Sequence, residues 1–288
     1  MFEKVLICTD FSDSLQRLAN FVSSLALAGM KQIVFLNVVP LWEKGIIPRV
    51  DSEKVEQAQT RLAGYISEST DVEVKIEVQS GKPVETILKV AQTYESELII
   101  LGSQSRNSLT EKLVGSTMAE LSRKTKIPLL VLRPQFISTL TSEELTLRCQ
   151  HLFRSLLLPY NDSQAANYLV QQVKQLAQKQ SSKFLEQCTL CWVLENNERR
   201  GVPSKIQPQQ ANETLSQIKS DLVGLNLDVE TQVLEGNPLS TILEAATMSD
   251  ISAIAVSSGT IGKLQEWLVS SFVAELLRFS WFPVLFFP

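Results

Sequence analysis

The sequence predicts an α/β protein of two tandem Rossmann-like domains, each a five-stranded parallel sheet flanked by helices. Three observations predict it. The stretch Gly81 to Leu132 returns about 155 positions later as Gly236 to Phe287, placing Gly81 and Pro83 on Gly236 and Pro238, Thr86-Ile87-Leu88 on Thr241-Ile242-Leu243, and Ala119-Glu120-Leu121 on Ala274-Glu275-Leu276. Short apolar runs alternate with stretches of helical spacing, the pattern of βαβ units whose sheet is covered on both faces. A chain of 288 residues also suffices for two domains of about 140, each with its own core.

In the first half the strands are expected at Lys4 to Cys8, Ile33 to Val39, Val72 to Val78, Leu98 to Leu101 and Leu129 to Leu132. Leu15, Leu18, Ala19, Val22, Leu25 and Ala26 repeat at helical spacing, and Gly29 follows in the position that favours a left-handed residue. Pro83 suits the first turn of a helix. The last helix is expected to start at Ser116 or Thr117, with Thr117 and Glu120 forming a TxxE capping box. The second half repeats the order, with strands at Leu156 to Leu158, Cys188 to Leu194, Leu227 to Val233, Ile254 to Val256 and Val284 to Phe287. Pro134 to Gln150 reads as a linker holding a short capped helix at its TSEEL run, and the boundary is set near 145, giving domains 1–145 and 146–288. Residues 195–210, with Pro203, Pro208 and several Gln, read as an excursion before a helix.

Composition excludes several classes of function. Net charge is −4 and no basic run is present, which argues against a nucleic-acid partner. MFEKVLICTD reads as a strand and not as a signal peptide, and no apolar stretch approaches the ~20 residues of a membrane span, so a cytoplasmic protein is expected. Cys188 and Cys191 form a CxxC inside CTLCWVL, which reads as a buried strand. Redox CxxC motifs open a helix, and the one histidine, His151, lies in another element.

In parallel sheets of this kind, ligands bind outside the carboxyl ends of the strands, where helix N-termini offer unpaired N–H groups. The loop from Gly102 through Ser105 and Arg106 to Gly115-Ser116-Thr117 has that address. Gly102 permits a sharp turn or close approach, Gly115 removes a Cβ at the helix end, Ser116 and Thr117 supply hydroxyls, and Arg106 adds positive charge for an anion. A plain turn and helix cap would use the same residues. Thr9-Asp10-Phe11-Ser12-Asp13-Ser14 ends the first strand at the same edge. It reads as an N-cap cluster, or as a carboxylate, Asp10, placed to accept a purine amine.

These residues resemble the universal stress protein family, whose nucleotide-binding members carry GxxGx9G(S/T) after the fourth strand. Here Gly102-Ser103-Gln104-Ser105, nine residues, then Gly115-Ser116 keep the spacing, with Ser105 in place of the middle glycine. The TDFSD turn with Asp10 and the LNVV strand end with Val38 are also similar; in that family the matching Asp and the Val backbone contact adenine. The resemblance covers both halves. It implies a stress-response regulatory protein binding an adenine nucleotide, ATP with or without magnesium, in the N-terminal domain. It also implies pairing of the last strands of the two halves within the chain in the manner of a dimer, with homo-oligomers left open. A nucleotide-free scaffold acting through protein contacts is the alternative that the same family offers.

The second copy loses the loop. Ser257, Thr260 and Ser270 stand at the three glycine positions, and Phe272 replaces Thr117. Asn161 stands for Asp10, and Trp192 is aligned with Val38, where an indole would fill the purine slot. Gly259 and Gly262-Lys263 lack the spacing of a phosphate-binding P-loop. No nucleotide is therefore expected in the second domain. Neither half shows a histidine base beside a nucleophile or a metal-ligand cluster, so no hydrolytic centre is readable and ATP turnover would be slow at most. Asp10 with Asp13 could hold magnesium through nucleotide phosphates, or could simply cap and solvate.

Overall fold

Strand β1, Lys4–Cys8, is apolar on consecutive residues because helices cover both faces of the sheet around it, and Leu6 and Ile7 are fully buried. The computed structural model describes residues 1–42, 49–65, 72–102, 116–179, 184–195, 207–258 and 271–288. These fall into two compact units, Phe2–Gln150 and His151–Pro288.

In the first unit, β1 is joined on one side to β2, Gln32–Val39, and through it to β3, Glu73–Ser80; on the other side lie β4, Leu98–Gly102, and β5, Leu129–Leu132. Every pairing is parallel, and the order is β3-β2-β1-β4-β5. The order reverses between β1 and β4, which opens a crevice at their carboxyl ends. The edge strand β3 alternates exposed with half-buried residues at its start.

The second unit repeats this arrangement with β6 (Ser155–Pro159), β7 (Gln187–Leu194), β8 (Asp228–Glu235), β9 (Ala253–Ser257) and β10 (Val284–Phe287), all parallel, in the order β8-β7-β6-β9-β10. The ten expected strands are thus present, with ends that coincide or differ by one or two residues.

The crossovers of the first unit contain α1 (Val22–Leu27), α2 (Ser52–Ala63), α3 (Pro83–Thr93) and α4 (Ser116–Lys124). The expected first helix is composite: Leu15–Phe21 is a 3₁₀ turn and only Val22–Leu27 is α-helical. It closes in a Schellman motif, with Gly29 at φ 98°, Gly29 N–H donating to Ala26 O and Met30 N–H to Leu25 O. Thr117 lies inside the first turn of α4 and not ahead of it, and Glu120 accepts from Lys124, so the expected capping box is not formed. Its signal was the TxxE spacing alone, which an i,i+4 ion pair satisfies equally well.

After β5 come α5 (Pro134–Ile137) and α6 (Ser142–Gln150), the latter capped by Thr141, whose hydroxyl accepts from Glu144 N–H. Helix α6 packs against α1 of the first unit, and Arg148 ties it to the carbonyls of Gln135 and Phe136. The second unit carries α7 (Gln164–Gln178), α8 (Pro208–Val223), α9 (Pro238–Met248) and α10 (Ser271–Phe279). No helix among the described residues is long and apolar enough to cross a membrane.

The repeat has a steric basis. Gly81 and Gly236 hold the same turn into α3 and α9, and a Cβ on either would meet a threonine hydroxyl: 2.9 Å from Thr86 Oγ1 in the first copy, 2.7 Å from Thr241 Oγ1 in the second. Glycine and threonine, five residues apart, therefore persist together in both copies. Gly236→Ala should destabilise the chain by about 1–3 kcal/mol. Adding Thr241→Ala should recover the steric part but not the strain of φ 144°, a partial coupling that a double-mutant cycle in urea unfolding would measure.

Candidate functional site

At the carboxyl end of β1, Thr9 holds the chain in four ways. Its N–H donates to Leu36 O of β2 at 2.9 Å, its hydroxyl donates to Asp13 Oδ1 at 2.7 Å and accepts from Phe11 N–H at 3.0 Å, and its carbonyl accepts from Asn37 Nδ2 at 2.8 Å. Thr9, Asp13 and Asn37 are all buried. The turn that follows places Phe11 at φ 67° and Ser14 at φ 63°, left-handed backbone that costs a non-glycine residue roughly 1–2 kcal/mol. Arg61 lies 4.2 Å over the Phe11 ring and helps to hold it.

The two acids of this turn have different surroundings. Asp10 is exposed, and its Oδ1 accepts from both the backbone and the hydroxyl of Ser12, at 2.8 and 2.6 Å. Asp13 is 5 % exposed and accepts from Leu15 N–H at 2.9 Å, taking up the first N–H of the 3₁₀ turn. Burial pushes the Asp13 carboxyl above its ordinary range, against the pull of the Thr9 hydroxyl and Leu15 N–H. Asp13 thus spends Oδ1 on Thr9 and Leu15 inside the turn, whereas Asp10 is exposed.

Gly102 ends β4 directly beside Asp13. A Cβ on Gly102 would stand 2.3 Å from Asp13 Cβ and 2.5 Å from its Cγ and Oδ2. The first glycine of the loop motif is therefore demanded by the chain itself, whatever lies above it.

Of the residues singled out in the sequence, Asp10, Val38, Gly102, Ser116 and Thr117 are brought to one edge of one sheet: the ends of β1, β2 and β4 and the opening of α4. Val38 is half-buried, Ser116 is exposed and Thr117 is half-buried. The first turn of α4 carries no acidic residue of its own. Ser105, Arg106 and Gly115 lie outside the described residues.

The second unit corrects one sequence alignment. Gly81 N–H bonds Val39 O and Gly236 N–H bonds Leu194 O, so Val193 corresponds to Val38 and Trp192 corresponds to Asn37. Trp192 is buried and does not fill a purine slot at the Val38 position; a shift of one residue along a strand turns a side chain to the other face. Tyr160, whose N–H bonds Cys191 O as Thr9 N–H bonds Leu36 O, stands for Thr9. The hydrogen-bonded Thr9–Asn37 pair thus becomes an edge-to-face aromatic pair, Tyr160–Trp192, with centroids 5.4 Å apart. Thr9 and Asn37 were missed in the sequence. Their signal is the joint exchange of two columns, visible only in the correct register.

Cys188 and Cys191 are buried, free thiols three residues apart on β7, hence on opposite faces. Burial pushes both up to about 12, the opposite of an activated pair. No cluster of metal-ligating side chains occurs among the described residues.

Two parallel sets of strands, each of order 3-2-1-4-5 and flanked by helices, define a tandem α/β protein of Rossmann-like fold. The chain belongs to the universal stress protein family: the Universal stress protein family model matches residues 1–133 and again residues 152–288. It is similar to a universal stress protein of Mycobacterium tuberculosis, 23% identical over 271 residues and covering 86% of each chain. A universal stress protein of Methanocaldococcus jannaschii is 24% identical over 155 residues, 46% of this chain and 96% of the relative. The crystal structure of a universal stress protein from Archaeoglobus fulgidus superposes with a TM-score of 0.70 at 19% identity, over 98% of this chain and 97% of that one.

Two outcomes are expected. Gly102→Ala should cost about 1–3 kcal/mol in urea unfolding; Asp13→Ala, which keeps the Cβ that would lie 2.3 Å away, should not relieve it, whereas Asp13→Gly should relieve the steric part in a double-mutant cycle. Asp13→Asn keeps the acceptor for Thr9 and Leu15 and removes the ionisation. Because the Asp13 value is raised on folding, the wild-type side chain is fully stabilising below the ordinary aspartate value of 3.8 and loses stability as pH rises through the raised one. The asparagine variant should therefore gain stability over wild type near neutral pH, with the gain vanishing in acid, as read by urea unfolding across pH.

Proposed function

We infer that the first module holds an adenine nucleotide, with ATP as the simplest choice, and that the chain acts as a cytoplasmic stress-response regulator through what the bound nucleotide does to conformation or association. The convergence of Asp10, Val38, Gly102, Ser116 and Thr117 at one switch-point edge carries this reading. The base side has a carboxylate and a strand end; the phosphate side has two hydroxyls at a helix N-terminus whose first turn holds no acid. Ser105, Arg106 and Gly115 complete the set by the spacing of the loop. The resident groups would bind and orient the nucleotide.

The nucleotide-free scaffold draws support from one observation. Gly102 has a full account in Asp13, so one glycine of the motif is retained without any phosphate to require it.

ATP titrated into the full chain by calorimetry separates the two readings. Binding is expected, and Thr117→Phe, which copies the second module, should weaken it by 10-fold or more while thermal stability is kept. No heat of binding, together with no nucleotide in the supernatant of the denatured purified protein, would favour the scaffold.

A further inference from the structure

The corresponding edge of the second module carries an open pocket of about 220 Å³. Pro159, Tyr160 and Cys191 line it from the ends of β6 and β7, and Val193, Val256 and Phe272 from the strand ends and the opening of α10. Trp192 is not among the lining residues; it packs against the Tyr160 ring instead.

The lining decides what the cavity can take. Among the described residues it includes no lysine, arginine or histidine, and its one charged side chain is Glu195, so these walls offer an anion no cationic partner. The N-terminus of α9 is already satisfied, with Asn237 Oδ1 accepting from Leu239 N–H at 3.1 Å and Ser240 N–H at 3.2 Å. Where Thr117 offers a hydroxyl in the first module, Phe272 offers a ring. The lining hydroxyls are committed within the chain: Tyr160 to Asn167 at 2.7 Å, Ser257 to Ala165 O at 2.7 Å, while Ser163 caps α7. Burial holds the Tyr160 phenol and the Cys191 thiol neutral, each pushed up to about 12. Beside Asn161, whose Oδ1 accepts from Ser163 N–H at 3.3 Å, the remaining walls are mostly apolar with two aromatic side chains, and an apolar cavity of about 150 Å³ already admits benzene.

We propose that the second module is a binding site in its own right, for an uncharged aromatic molecule of one or two fused rings, seated between Tyr160, Val193, Val256 and Phe272 at the edge where the first module has its polar network. The site does not depend on nucleotide binding by the first module.

Indole is the probe. In the full chain with labelled alanine and valine methyl groups, indole at about millimolar concentration, the range expected of so small a ligand, should move the Ala165, Ala166, Val193 and Val256 signals in a saturable way. ATP at the same concentration should leave those signals in place. Ala165→Leu, which fills the cavity, should weaken indole binding by 10-fold or more with an unchanged melting temperature. Should that variant fail to fold, the wild-type map decides alone. Absence of saturable shifts, shifts confined to other methyl groups, or saturable movement of these four by ATP would each overturn the proposal.

Discussion

The first module depends on how Thr9 holds the chain as it leaves the central strand. A parallel sheet ends in a row of backbone groups that must find partners outside the ladder, and Thr9 supplies them to β2, to the following turn and to the buried Asp13 at once. Asp13, fixed in this way, lies where β4 must pass, and β4 can pass only as glycine. Three elements distant in sequence are thereby set against one another at the switch point, and the residues suited to a nucleotide stand around them.

The second module solves the same problem with rings. Tyr160 and Trp192 occupy the places of Thr9 and Asn37, and contact between the two rings replaces a hydrogen bond between a side chain and a carbonyl. Ser257 can then keep its Cβ at the place of Gly102 and spends its hydroxyl on Ala165 O. Each edge is internally consistent in its own chemistry. A polar edge suits an anionic ligand and an apolar edge excludes one.

Most of the fold was legible because buried parallel strands are continuous apolar runs, and because Gly81, Pro83 and their copies mark turns with few alternatives. The composite first helix was not, since 3₁₀ and α segments share nearly the same apolar spacing. The site was legible as an address but not as a mechanism of packing. Gly102 reads as room for a phosphate when its neighbour Asp13, 89 positions away, is invisible. Trp192 was placed one residue out because the offset between copies is not constant: Thr9 corresponds to Tyr160, an offset of 151, and Leu36 to Cys191, an offset of 155. A strand tolerates no such slip, since each residue along it changes face.

The exchange between Thr9–Asn37 and Tyr160–Trp192 also constrains how such modules can diverge. A tryptophan beside the threonine would strand a buried carbonyl, and a tyrosine beside the asparagine would crowd a buried amide, so either intermediate is worse than both ends. The two chemistries are separated by an epistatic valley. Converting either module to the other's chemistry therefore requires both residues to be exchanged together.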